Sequence, residues 1–268
     1  MSKPLILVRG AGDLATGTIH RLWSAGYPLL VLEAERPAAI RRQVALSEAV
    51  YEETATVEGV TARRIPSVDR MEQTLAEGFI PLLVDPAGDS ISKVRPAAVV
   101  DAILAKRNLG TDRSMAPLTV GLGPGFTAGK DVDFVIETMR GHDLGRIIRE
   151  GSALPNTGIP GVIGGVAAER VLHAERAGEL YGLHRIGDFV EKGEPIAEIR
   201  TETERFPVNA TASGLLRGLI RDGFRVPVGF KIADIDPRRE EYQNCFTISD
   251  KARCIAGSVL ELVCRYAV

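Results

Sequence analysis

The stretch Val8-Arg9-Gly10-Ala11-Gly12-Asp13-Leu14-Ala15-Thr16-Gly17 follows an apolar run at residues 5–8. It opens a segment whose Leu14, Ile19, Leu22 and Trp23 recur at helical spacing. Strand, tight turn and helix, in that order, are the context a G-x-G-x-x-A pattern needs. Gly10 would permit the sharp turn, Gly12 would let the backbone approach a pyrophosphate, and Ala15 would keep the helix close to the strand. Free amides at the helix N-terminus would then face the anion. A second apolar run, residues 29–32, ends at Glu33, at the separation of about 20 residues expected of an acid that binds an adenosine ribose. Gly10, Gly12, Asp13, Ala15 and Glu33 are therefore the predicted cofactor-binding residues, for NAD or another adenine nucleotide. Two readings stay open here: Asp13 also suits a plain helix N-cap, and the turn could exist without a ligand. Glu33 favours a free ribose hydroxyl, while Arg36, Arg41 and Arg42 are either acceptors of a 2′-phosphate or solvated surface.

At 268 residues the chain has room for one large or two ordinary domains, each with a core. Its 45% hydrophobic and 25% charged residues are those of an ordinary globular protein. A formal charge of −2 gives no general pull toward nucleic acid or anionic lipid. The amino terminus carries only Lys3 before a short apolar run broken by Arg9, which reads as neither secretory signal nor membrane span, so a cytoplasmic location is expected. Cys245, Cys254 and Cys264 match no zinc spacing, so no metal is predicted; free buried thiols, or a redox or selenium-handling Cys254, are the two readings.

Residues 37–46 read as a helix with Pro37 in its first turn, and residues 51–59 as connecting structure. Apolar runs at residues 80–84 and 97–100 continue the strand–helix alternation of a parallel sheet. Asp85, Asp89 and Asp101 would lie at its carboxyl edge, as ligands or as turn residues. A second glycine-rich loop, residues 121–130, lacks a G-K-[ST] ending; Gly123, Gly125 and Lys130 could still hold an anion through a nest of amides. Beyond it, Glu137, Arg140, His142 and Arg146 place acid, base and anion-binding groups among glycines. His142 and Glu137 are the candidate acid–base groups, with Arg140 and Arg146 holding an anionic substrate. The turn at residues 155–161 would be rigid and could line the same pocket.

A shift of 36 residues aligns Gly178 with Gly214, Leu180 with Leu216, Gly187 with Gly223, Val190 with Val226 and Ile196 with Ile232. Two such copies cannot bury their apolar faces separately and should close on each other. The spacing of Gly187, Val190, Gly193 and Ile196 resembles the half-motif of biotinyl and lipoyl domains, although residues 200–205 hold no lysine to carry a modification. The expected fold class is α/β: a Rossmann-like parallel sheet over 1–106, a glycine-rich β/loop region over 107–170, a duplicated barrel-sandwich hybrid over 171–237 and a C-terminal docking helix over 238–268, capped by Ser249.

The stretches around Gly10, Gly123, Glu137 and Ser249-Asp250-Lys251-Ala252-Arg253 together resemble the YqeB family, described as selenium-dependent molybdenum hydroxylase system proteins. The resemblance spans essentially the whole chain. It implies an accessory that matures or supplies a molybdenum hydroxylase, with the hydroxylase or its maturation machinery as partner and a nucleotide or a molybdopterin-type cofactor as ligand. An NAD-dependent oxidoreductase acting on a small metabolite or selenium species, and a non-catalytic scaffold docking the hydroxylase, are the alternatives. A homo-oligomer is compatible with each.

Overall fold

The computed structural model describes residues 3–157 and 168–267, so residues 158–161 of the predicted rigid turn lie outside the described residues. Two compact units divide the chain, and both are discontinuous in sequence. Unit 1 takes Met1–Pro37, Ala45–Thr157 and Ile248–Val268; unit 2 takes Ala38–Val44 and Gly158–Thr247. The break expected at residue 106 thus falls inside unit 1.

Unit 1 is built on β1 (Ile6–Arg9), β2 (Leu29–Glu33), β3 (Thr54–Val57), β4 (Val60–Ile65), β5 (Ile80–Val84), β6 (Ala98–Asp101), β7 (Leu118–Leu122), β8 (Thr127–Ala128), β9 (Phe134–Ile136), β10 (Ile147–Ile148) and β11 (Gly151–Ser152). Nine of them form one sheet in the order β10-β9-β7-β6-β1-β2-β5-β4-β3, and β8 pairs with β11 beside it. The strands from β9 to β4 run parallel, and their middle members are near-continuous apolar runs because both faces are covered. Both margins are antiparallel: β3 against β4, and β10 against β9. The β3–β4 hairpin turns on Glu58 and Gly59, both at positive φ, the two-residue geometry that matches strand twist.

The helices of unit 1 are α1 (Asp13–Ser24), the short α2 (Ala49–Glu52), α3 (Met71–Ala76) and α4 (Ile91–Val94), and the 17-residue α5 (Asp250–Tyr266). α5 buries Ala252, Ile255, Ala256, Val259, Leu262 and Val263, the i, i+3, i+4, i+7 stripe of an amphipathic helix. It lies against α1 so closely that a Cβ on Gly17 would sit 2.8 Å from the Ala252 Cβ and 3.0 Å from its carbonyl oxygen. Ser249 caps it, its hydroxyl accepting from the Ala252 amide at 3.2 Å.

Residues 37–46 are not the expected helix. The chain crosses at Pro37 into unit 2 and back at Ala45, forming only a 3₁₀ turn at Arg42–Val44 on the way. Arg41 donates to the carbonyls of Asn244 and Thr247, and Arg42 to that of Leu219. Those bonds, made with residues far along the chain, hold the segment within unit 2 and engage both guanidinium groups.

Unit 2 comprises β12 (Val171–His173), β13 (Gly178–Gly182), β14 (Phe189–Val190), β15 (Pro195–Arg200), β16 (Arg205–Asn209), β17 (Gly214–Leu219), β18 (Phe224–Val226) and β19 (Lys231–Asp236). They form two four-stranded antiparallel sheets, β12-β19-β17-β14 and β16-β15-β13-β18, over a core that includes Leu180, Val190, Ile196, Leu216, Ile232 and Ile235. The expected fold class is corrected on both sides. The first sheet is a nine-stranded mixed sheet rather than a parallel one ending near residue 106. The β-rich region is two antiparallel sheets rather than a biotinyl- or lipoyl-like barrel-sandwich duplication. β15 and β16 pair antiparallel across residues 201–204, and the eight strands divide between two separate sheets. Glycine and valine spacing sets where turns and inward positions fall; it does not determine which strands pair.

Candidate functional site

From β1 the chain builds outward on one side through β2 and β5, then returns to the other side through β6, β7 and β9. Strand order therefore reverses at β1, and the crevice at the carboxyl ends of β1 and β6 is where an open α/β sheet admits a ligand. Gly10 makes the turn there. Its φ is +94°, its amide donates to the Leu32 carbonyl at 2.7 Å, and a Cβ on it would meet the backbone of Ala102 and Ile103 at 3.0 Å. Gly12 is the N-cap residue of α1, with φ −67° and ψ −176°, and a Cβ built on it meets nothing within 4 Å. Ala15 is fully buried one turn on.

The loop between these glycines is pinned from several sides. Glu33 accepts from the Ala11 amide through one carboxylate oxygen and from the Ala34 amide through the other, both at 2.7 Å. The Ala11 carbonyl accepts from the Ser47 amide at 2.9 Å and from the Thr16 hydroxyl at 3.1 Å. Burial pushes the Glu33 carboxyl above its ordinary range, against the two amides that favour its ionised form. Each oxygen keeps a second acceptor site for a hydroxyl.

Beneath the crevice, Arg9 and Asp101 are adjacent in register and almost wholly buried. Thr111 links them, accepting from Arg9 and donating to Asp101, each at 2.5 Å, and Arg9 also donates to the Pro86 carbonyl. Burial raises the Asp101 carboxyl, with the Thr111 and Ile103 hydrogen bonds opposing it. Asp85 closes its own turn. Its oxygens accept from the amides of Gly88, Asp89 and Ser90 and from the Ser90 hydroxyl, and these bonds outweigh burial and hold it below the usual range. Asp85 is a turn residue and Asp101 a member of a buried network; Asp89 is exposed.

The residues predicted for acid–base chemistry part company. Glu137 is buried, and its two oxygens accept from the amides of Met139 and Leu154, so it latches the loop that follows β9. A carboxylate so engaged is a poor general base, which corrects its expected role. His142 is exposed on that loop. Arg146 pairs with Asp143 at 2.7 Å. Arg140 makes a bidentate pair with Asp250, at 2.8 and 2.9 Å, on the first turn of α5.

The second glycine loop is divided as well. Gly123 abuts the Thr138 side chain and Gly125 the backbone of Arg107, at the carboxyl end of β7. Lys130 lies at the opposite edge: Arg113, before β7, holds the Gly129 carbonyl and Asp133, and Asp133 bonds Thr119 at the start of β7. Lys130 is thus removed from the proposed anion site.

Lys251 is the residue the sequence reading did not single out for chemistry. It is half-buried on the first turn of α5, and burial followed by the Arg140 charge pushes its amine below the ordinary lysine range, despite the opposing carboxylates of Asp13, Glu137 and Asp250. One signal was available: a lysine in the first turn of a helix opposes the helix dipole. Unit 2 contributes two open clefts, of about 820 and 710 Å³. In the larger, Arg225 pairs with Glu179 and Arg200 stacks on Tyr181. None of the residues predicted from sequence lines it. Among the described residues no cluster of three or more His, Cys, Asp or Glu could hold a metal, and no helix is long and apolar enough to cross a membrane.

No family model matches the chain. It is 49% identical over 257 residues to the uncharacterized protein YqeB of Escherichia coli (strain K12), covering 96% of this chain and 47% of that protein. The chain therefore spans about half the length of this curated relative, and the resemblance to YqeB drawn from the motifs is supported. Solved structures that align include a succinylglutamate desuccinylase/aspartoacylase from Rhodobacter sphaeroides, with TM-score 0.29, 18% identity, and 88% of this chain and 86% of that one covered. The ectoine utilization protein EutE (DoeB) from Ruegeria pomeroyi, with its product bound, aligns with TM-score 0.27, 14% identity and coverage of 87% and 85%. At these scores neither substrate nor reaction transfers to this chain. The expected role in molybdenum hydroxylase maturation is withdrawn: the relative is described as uncharacterized, and the aligned structures as a succinylglutamate desuccinylase/aspartoacylase and an ectoine utilization protein, neither as a hydroxylase accessory.

Proposed function

We propose that unit 1 binds an adenine nucleotide at the carboxyl edge of its large sheet. The pyrophosphate lies over Gly12 at the N-terminus of α1, and the ribose hydroxyls donate to Glu33. The observation that carries this reading is the open space at Gly12. It occurs in a loop whose neighbouring residue, Ala11, is held through both its amide and its carbonyl. Such a loop is preorganised: its amides are already aligned, so little ordering is left for the ligand to impose. α1 is 12 residues long, and the dipole of a three-turn helix favours an anion at that end.

Calorimetric titration of the full chain with NAD, ADP and CTP, together with native mass spectrometry of ligands retained on purification, tests the reading. Saturable binding of NAD or ADP, well above that of CTP, is the expected result. No saturable binding of either adenine ligand up to about 1 mM, a binding free energy weaker than about −4 kcal/mol, would overturn it.

A further inference from the structure

We infer that Lys251 binds a second anionic group of the ligand, so that this edge takes a nucleoside diphosphate or dinucleotide in preference to a monophosphate. The inference rests on the nucleotide reading above and adds the class of ligand.

The placement comes from packing. Ala252 is locked on Gly17, little more than a turn beyond Gly12, which brings the first turn of α5 to the N-terminal end of α1. The charges facing Lys251 are Asp13 from α1, Glu137 from the end of β9, Arg140 from the loop after it, and Asp250 from α5 itself. Two of the three carboxylates are engaged elsewhere: Asp250 holds Arg140 bidentately, and Glu137 accepts two backbone amides. The Lys251 side chain makes no hydrogen bond or ion pair with any described residue.

An ammonium half held out of water at the positive end of a helix, with no side-chain hydrogen-bond partner, has its charge under-compensated. Its amine is accordingly pushed below the ordinary range, the three carboxylates notwithstanding. A phosphoryl oxygen arriving there gains a charge-assisted hydrogen bond and relieves that imbalance. A monophosphate seated over Gly12 can satisfy the amides of α1 alone, whereas a diphosphate has a second group to offer the lysine.

The test titrates wild type, Lys251→Met and Lys251→Arg with ADP, AMP and inorganic pyrophosphate, with circular dichroism confirming that each is folded. Wild type should prefer ADP to AMP by about ten-fold or more. Lys251→Met should lose that preference while holding AMP within about two-fold of wild type, and Lys251→Arg should retain most of it. If AMP and ADP bind wild type equally, or the preference survives in Lys251→Met, the role of Lys251 is overturned and the nucleotide reading stands. If neither adenine ligand binds, the nucleotide reading falls; pyrophosphate binding that is lost in Lys251→Met would then still support the anion site, and no pyrophosphate binding would overturn it. Lys251→Gln replaces the methionine variant should that one fail to fold.

Discussion

Alanine at position 12 should abolish nucleotide binding and leave the fold untouched, whereas alanine at position 10 should damage the fold itself. The difference follows from two backbone geometries two residues apart. Gly12 has φ −67° and ψ −176°, ordinary for an L-residue, and its Cβ would enter open space. Removing glycine's freedom from the unfolded chain contributes about 0.4–1 kcal/mol of stability. Alanine is a poorer N-cap than glycine, which costs on the order of 0.5–1 kcal/mol. The two nearly cancel, so Gly12→Ala should unfold within about 0.5 kcal/mol of wild type. Gly10 has φ +94°, and its Cβ would stand 3.0 Å from three backbone atoms that cannot rotate away. Strain of about 1–3 kcal/mol and overpacking of about 1–3 kcal/mol give a loss of roughly 2–6 kcal/mol for Gly10→Ala. Urea denaturation gives the stabilities, and calorimetry with ADP gives binding. Binding by Gly12→Ala as tight as wild type would refute the placement of the pyrophosphate. A Gly10→Ala variant as stable as wild type would refute the account of the loop.

At the α1–α5 contact, Gly17→Ala gains about 1 kcal/mol of helix propensity but meets Ala252 at 2.8 Å, so a net loss of up to about 2 kcal/mol is expected in thermal unfolding; a rise in Tm would count against it. Glu137→Gln turns an NH₂ toward a backbone N–H at Met139 or Leu154 and should cost about 1–3 kcal/mol, whereas exposed His142→Gln should change stability by less than about 0.5 kcal/mol; equal denaturation midpoints for the two variants would remove Glu137 as a latch. The carboxyls of Glu33 and Asp101 are raised by burial, so their contribution to stability is complete below the ordinary values of 4.5 and 3.8 and is lost as pH rises through the raised native ones. Nucleotide affinity should run the other way, rising with pH as Glu33 ionises and becomes a pure acceptor for ribose hydroxyls; calorimetry across the mildly acidic range that showed affinity flat or falling would contradict its role.

What could be read from the sequence was what is local. The runs at residues 5–8 and 29–32 declared themselves because central parallel strands are buried on both faces, and the glycine spacing located the turn at Gly10. Residues 37–46 misled because Pro37 and the apolar spacing satisfy helix rules, while the bonds that fix the segment reach Leu219, Asn244 and Thr247. Glu137 and His142 looked alike as polar residues near glycines. Only the return of the chain at Leu154 separates a buried latch from an exposed imidazole. Lys251 was visible as part of a motif, but its placement depends on a contact between Gly17 and Ala252 that no local pattern encodes. In unit 2, period and turns were legible, whereas the division of the strands between two four-stranded sheets was not.

The return of α5 to unit 1 after all of residues 158–247 bears on how the chain is born. A ribosome releases β1 through β11 first, with the face of α1 around Gly17 still bare, and then makes residues 158–247 of unit 2 before the helix that covers that face emerges. During this interval the nascent chain displays apolar surface of the kind that recruits chaperones. A chain stopped short of α5 would lack both the cover over α1 and Lys251. If Lys251 does grip the second phosphate, full-strength ADP binding by ribosome-released chains would report that translation had run past residue 251.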